Sequence, residues 1–83
     1  PNPGRIFAIR FAIEKDVEDV ELAVYDCAGR CIVRLVSGIN PRGVYACQWD
    51  GRDAAGAAAP AGIYFIVLTR ETRKEIRKTV LLR

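Results

Sequence analysis

Apolar and polar side chains alternate with a period of two residues along most of this chain. In residues 5–13 every second side chain is large and apolar, and residues 20–26 and 44–50 repeat the pattern. Successive strand residues point to opposite faces of a sheet, so this period predicts β-strands with one face on a core. In the first segment Phe7, Ile9, Phe11 and Ile13 are expected to face that core. The alternating sets of the other two are Val20, Leu22 and Val24, and Tyr45, Cys47 and Trp49.

Three more segments are predicted strands, and polar or glycine-rich stretches separate all six. Residues 31–36 carry apolar side chains at both even and odd positions, so the face they bury is left open. Residues 63–69 are also apolar at both, which suits a central strand with one face on the core and the other partly covered. The third segment is 76–82. Gly29 suits the tight turn at 26–30 because glycine readily adopts positive φ. The other predicted connections are residues 14–19, 37–43, 50–62 and 70–75.

Two segments have an alternative helical interpretation. The alanines of residues 50–62 favour helix, but four glycine or proline residues interrupt them. Residues 70–78 contain good helix formers, yet Ile76 is their single apolar side chain. A hairpin is therefore preferred there. Six short strands with turns between them predict an all-β fold, an antiparallel immunoglobulin-like β-sandwich of about six to seven strands.

Size and composition limit the chain to one domain, residues 1–83. With 83 residues and 51% hydrophobic content it can form one core, but little remains for a deep pocket. The longest apolar run, residues 63–68, is far shorter than the roughly 20 residues of a membrane helix. No membrane span is expected. The chain starts at Pro1 and contains no Met, which indicates an excised or processed piece.

Charge is unevenly distributed along the chain. Residues 70–83 hold six basic and two acidic side chains, a net of +4, whereas an acidic run occupies residues 14–21. Both clusters are typical of solvated turns and of edge strands protected from aggregation. The alternative is that the basic segment meets an acidic partner. A total of +3 is too small to indicate a nucleic-acid partner.

The chain contains few of the residues that carry catalysis or bind metals. It has no His, so the usual general base is missing, and Ser37 is its single serine. A zinc site takes about four Cys or His ligands, and three cysteines without His do not supply them. Cys27 and Cys31 flank a short turn, so they either form a disulfide across it or, with Cys47, act as small hydrophobic residues. No enzyme activity, cofactor or metal is expected.

Two further candidate sites each have a structural alternative. Asp50 and Asp53 partly match a calcium loop, but the acidic third position and terminal Glu are absent, so turn-forming bonds to backbone amides are preferred. Trp49, Tyr64 and Phe65 could stack on a sugar, but a lone Trp in a small β-domain more often centres the core.

These residues also form an ordered series of short motifs. The series is NP at 2–3, IRF at 9–11, VYD at 24–26, GR at 29–30, WDGRD at 49–53 with Gly56, AGIYF at 61–65 and KTVLLR at 78–83. In this series the chain resembles the immunoglobulin-like domain of the flagellar hook-capping protein FlgD. It is similar in the same way to the type A C-terminal sorting domain of the type IX secretion system. The cysteines and the proline at position 60 depart from that pattern.

The resemblance implies a non-catalytic domain at the C-terminus of a secreted or cell-surface bacterial protein, with Arg83 as its natural end. For sorting domains it implies recognition by secretion machinery and anchoring to cell-surface components. Expected partners are therefore these and the upstream domain; a spacer, assembly or carbohydrate- or protein-binding module is the alternative. An edge strand can add to a partner sheet, so the candidate docking residues are Lys78, Val80, Leu82 and Arg83. The candidate structural turn and core residues are Trp49, Asp50, Gly51, Asp53 and Gly62.

Overall fold

Four antiparallel strands make up this fold, in a computed structural model that describes residues 7–82. They are β1 (Phe7–Asp26), β2 (Cys31–Trp49), β3 (Gly62–Thr69) and β4 (Lys74–Leu81). Their order in the sheet is β2-β1-β3-β4, and every neighbouring pair is antiparallel. The prediction of an all-β antiparallel fold is confirmed. The start of the predicted first strand, the NP motif and Arg83 lie outside the described residues.

The predicted count of six to seven strands is not confirmed in residues 7–82, where two predicted connections are themselves strand. Residues 14–19 lie within β1 and residues 37–43 within β2, where they pair with each other through Val17 and Pro41. The pairing register shifts between Ile13 and Val17, so the extra residues form an irregularity of the bulge type. Pro41 is tolerated because β2 is an edge strand. A sandwich of six to seven strands is thus not confirmed.

The two halves of β1 contribute to one core. Ile9 from the first half lines a small cavity with Leu22 from the second half and Ile66 from β3. The predicted alternation is correct in the first half, where the odd positions from 9 to 13 are buried and the even ones exposed. After the irregularity the even positions are buried instead, and Ala23 is buried as well. The buried core residues are Ile9, Phe11, Ile13, Val20, Leu22, Val24, Trp49, Ala59, Tyr64, Ile66, Leu68 and Leu81.

The helical alternatives are wrong for both segments. Residues 50–61 form turns with one isolated bridge between Arg52 and Ala58. Residues 70–73 form the turn before β4, in which the Arg70 amide donates to the Arg73 carbonyl. The segment 70–78 is therefore a turn and a strand. No helix in residues 7–82 is long and apolar enough to span a membrane.

Candidate functional site

The strand β4 is the last in the sheet order and pairs with β3 alone. Its second edge is unpaired within residues 7–82, so backbone N–H and C=O groups along it are free to bond another strand. Lys78 and Val80 lie exposed in β4, and Leu82 lies exposed just after it. Between Val80 and Leu82, Leu81 is fully buried and anchors the strand to the core. The predicted docking residues are thus accessible, except that Arg83 lies outside the described part.

The outer face of β4 carries apolar side chains as well as cations. We use "outer β4 face" for Lys74, Ile76, Lys78 and Val80, which alternate along the strand on the side away from Leu81. Ile76 is 65% exposed and Val80 47% exposed. Each stands opposite an apolar residue of β3: Val67 faces Ile76 and Ile63 faces Val80. Apolar surface therefore continues across the hairpin at this edge.

The cations of β4 lack counter-ions in the domain. Within residues 7–82, Lys74, Arg77 and Lys78 take part in no ion pair. The one carboxylate of the strand, Glu75, is already held by Arg70, whose Nε lies 2.8 Å from Oε2, and by Arg73 at 3.4 Å. The edge is therefore a positively charged strip.

A buried ion pair fixes the turn that leads into β4. The Arg70 guanidinium lies 3.4 Å from the Glu18 carboxylate, and both side chains are largely excluded from solvent. Arg70 also lies over the ring of Phe11, with Cζ 5.9 Å from the centroid. Glu71 adds a second connection, since it accepts from Lys15 Nζ at 2.9 Å. These contacts tie the β3–β4 turn to the middle of β1.

Ionisation of this turn predicts a loss of stability in acid. The hydrogen bond from Lys15 lowers the pKa of Glu71 from its ordinary 4.5, and the hydrogen bond from Arg70 lowers the pKa of Glu75 from the same value. A carboxyl group with a lowered pKa stabilises the fold above its unfolded pKa and loses that contribution as pH falls through the folded value. We expect the urea midpoint to be constant from pH 7 to about 5 and to decrease below about 4.5.

The control for this measurement is Glu14→Gln, which removes an exposed carboxylate that makes no ion pair in residues 7–82. Glu14→Gln should leave the decrease of the urea midpoint below pH 4.5 unchanged, whereas Glu75→Gln should make that decrease smaller. An equal decrease in all three proteins would contradict the assignment of the acid sensitivity to this turn.

The turn after β2 is built around Trp49. Its indole Nε1 donates to the Arg52 carbonyl at 2.9 Å, and Asp50 Oδ1 accepts from the Arg52 amide at 3.1 Å. Asp53 Oδ1 accepts from the amides of Ala55 and Ala57 at 3.0 and 2.9 Å. Gly51 has φ of 79°, which favours glycine. Both carboxylates thus bond backbone amides, as the preferred alternative to calcium binding requires.

Two of the residues proposed for sugar stacking lie in the core. Trp49 is 1% exposed and Tyr64 is 5% exposed, with their rings in an edge contact at 5.2 Å between centroids. Phe65 alone is partly accessible. A platform of these three rings is therefore not present on the surface. Gly62, the remaining turn candidate, opens β3 with φ of 153°.

The cysteines do not face each other across the hairpin, so the premise of the disulfide alternative is wrong. Cys31 stands opposite Tyr25, and the Asp26 amide bonds the Arg30 carbonyl, which leaves Cys27 inside the turn. Cys27 Sγ points towards the Ile63 carbonyl at 3.3 Å. The thiols of Cys27 and Cys31 are free and exposed. The alternative, that these residues act as small hydrophobic side chains in the core, therefore does not describe them either. Burial raises the pKa of the partly buried Cys47 thiol.

Sequence reasoning missed an open groove of about 500 Å³ between the β1–β2 turn and residues 53–60. Four alanines are among its lining residues, and its charged groups are Asp26, Arg30 and Asp53. Asp26 is already bonded by Arg30 Nε at 3.0 Å and by two backbone amides. The small side chains of residues 54–59 were the signal, because they leave space where larger ones would fill it. In residues 7–82 no group of three or more metal-ligating side chains occurs.

Comparisons with known proteins agree with this architecture. The family model of the FlgD Ig-like domain matches residues 2–74, so the match ends at the first residue of β4. The crystal structure of FlgD from P. aeruginosa is similar to this fold, with a TM-score of 0.63 and 24% sequence identity. The alignment covers 98% of this chain and 64% of that protein, so this chain spans less than two thirds of its length. No curated protein matches the sequence.

Proposed function

Because the chain belongs to the FlgD Ig-like domain family, we propose that it is a non-catalytic accessory domain that attaches a larger secreted bacterial protein to other components through β4. The components in question are secretion machinery or cell-surface structures, and the location is outside the cell or on its surface. The observation that carries the proposal is the unpaired edge of β4, with its exposed apolar side chains and unneutralised cations.

This edge lacks part of the usual protection against strand addition. Edge strands are commonly shielded by charged side chains, by proline, by bulges or by covering loops. The strand β4 has charges, but within residues 7–82 it has no proline and no register shift in its pairing with β3. Ile76 and Val80 add apolar surface that a partner could bury. Such an edge suits β-strand addition, in which backbone bonds give affinity and side chains give specificity.

The structure shows which substitutions can test the role of β4 without unfolding the domain. Removal of residues 80–83 would delete the fully buried Leu81 and confuse attachment with stability. The double variant Lys78→Glu/Val80→Thr changes two exposed side chains and keeps Leu81. Its control is Arg42→Glu/Val44→Thr, an equal change of charge and polarity at two exposed positions of β2. Arg42 pairs with Asp16 at 2.8 Å, but both side chains are largely exposed, so loss of this pair should cost little stability.

The assay appends the 83-residue chain to a reporter with a signal peptide, in a bacterium that has a type IX secretion system. We expect the unmodified fusion to reach the cell surface or medium, and the β4 variant to reach it at least tenfold less. The control variant should behave like the unmodified fusion. Retention of the unmodified fusion, or equal export of the β4 variant, would refute the sorting role.

A second candidate function is a packing or assembly module that contacts the upstream domain. It is favoured by three other exposed apolar side chains, Val17, Ile39 and Val44, which all belong to β1 and β2. The same assay separates the two candidates. If the β2 variant loses export and the β4 variant does not, the result would support packing through the paired strands β1 and β2 and would contradict attachment through β4.

A further inference from the structure

The outer β4 face has a regular chemical pattern. Along this face a cation and an apolar side chain alternate, in the order Lys74, Ile76, Lys78, Val80. Because successive residues on one face of a strand are about 7 Å apart, the two lysines stand about 13 Å apart with isoleucine between them. Arg77 adds a third cation on the opposite face of the same strand. A partner strand would meet this pattern residue by residue.

Building on the proposed docking edge, we propose that β4 binds an extended acidic segment of a partner protein, in which carboxylates and apolar side chains alternate on one face. Opposite the outer β4 face, the partner would place a carboxylate against each lysine and an apolar side chain against Ile76 and Val80. Its sequence pattern is acidic–x–apolar–x–acidic–x–apolar, or the reverse, depending on strand direction.

Charge complementarity is the main argument for this occupant. Opposite charges that face each other across strands stabilise the pair, and like charges destabilise it. Within residues 7–82 the cations of β4 have no ion pair, so a partner's carboxylates would be their first. The apolar side chains of the partner would continue the apolar pairs Ile63–Val80 and Val67–Ile76 by one more strand.

The same argument opposes a second copy of this chain as the occupant. Two β4 strands paired along their free edges would bring together two strips that each carry Lys74, Arg77 and Lys78. With Glu75 held by Arg70 and Arg73, neither strip offers a free carboxylate to the other. We therefore expect the isolated chain to be monomeric. A dimer formed through β4 would contradict the proposal.

The test is titration of the 83-residue chain with the synthetic nine-residue peptide DTVTDTVTD, which carries the pattern in both strand directions. The comparison peptide is KTVTKTVTK, with the same apolar residues and the opposite charge. We expect the acidic peptide to bind at least tenfold more tightly, and its affinity to fall as salt is raised. Amide hydrogen exchange should show new protection in β4 and none in β2.

Lys78→Glu should lower the affinity of the chain for the acidic peptide at least tenfold. Arg42→Glu, an equal charge change in β2, should alter that affinity less than twofold. Equal binding of the two peptides, protection in β2, or dimerisation through β4 would overturn the proposal. The outcome is separable from the secretion assay. If export depends on β4 but the acidic peptide does not bind, the docking role stands and the acidic partner is rejected. If the acidic peptide binds β4 but export does not depend on β4, the acidic partner stands and the role in secretion is rejected.

Discussion

Replacement of Trp49 by alanine is expected to lower the free energy of unfolding by about 3–5 kcal/mol. The indole stacks on Phe7 with 5.6 Å between ring centroids and contacts the edge of Tyr64 at 5.2 Å. Its Nε1 also donates to the Arg52 carbonyl, so the variant loses both a large apolar side chain and a bond that holds the following turn. Domains are typically stable by only about 5–15 kcal/mol, so this loss would remove a large share of the stability of the fold.

Urea denaturation followed by far-ultraviolet circular dichroism measures this change, since the variant has no tryptophan to report fluorescence. Trp49→Phe is the matched variant, because it keeps an aromatic ring between Phe7 and Tyr64 but removes the Nε1 donor. It should lose less stability than Trp49→Ala. A loss below about 1 kcal/mol for Trp49→Ala would show that Trp49 is not the centre of the core.

Replacement of Arg70 by methionine is expected to be nearly as destabilising, by about 3–5 kcal/mol, for a different reason. Methionine keeps the apolar character of the arginine stem but lacks the guanidinium, whose Cζ lies over the Phe11 ring. What the variant removes is the partner of the buried Glu18 carboxylate, which would then keep only the Glu71 amide at 3.4 Å. A buried charge without a partner costs more than the pair itself contributes.

A double variant separates these two contributions. Glu18→Gln/Arg70→Met removes both charges, so it should recover much of the stability that Arg70→Met loses. Arg73→Met, which removes an exposed cation of the same turn, should cost less than about 1 kcal/mol. If the double variant were no more stable than Arg70→Met in urea denaturation, the cost would lie in lost packing, not in the unpaired Glu18.

Local pattern was sufficient to place strand within six segments and to identify the buried face of the first. The alternation that predicted Ile9, Phe11 and Ile13 as core is a property of neighbouring residues, and the structure buries all three. The continuity of β1 through residues 14–19 could not be predicted in this way. It depends on pairing with residues 37–43, about 20 positions away, and neither segment has the composition of a strand.

The site shows the same division. The exposure of Lys78 and Val80 follows from an alternating strand near the chain end, but the burial of Glu18 does not follow from its acidic surroundings. Arg70 lies 52 residues away and supplies the counter-charge, which no short motif reveals. The position of Cys27 relative to Cys31 depended on which residues close the turn, and a shift of one residue changes every facing pair.

The shared register of β1 and β2 also bears on how the chain folds. Near the Asp26–Arg30 turn, paired residues are only six positions apart, as Tyr25 and Cys31 are, whereas at the far end Phe7 pairs with Trp49 across 42 positions. Closing a short loop costs less conformational entropy than closing a long one. Pairing that starts at the turn can therefore advance along both strands one residue pair at a time. Phe7 and Trp49 then pair without the entropy cost of closing a 42-residue loop in one step.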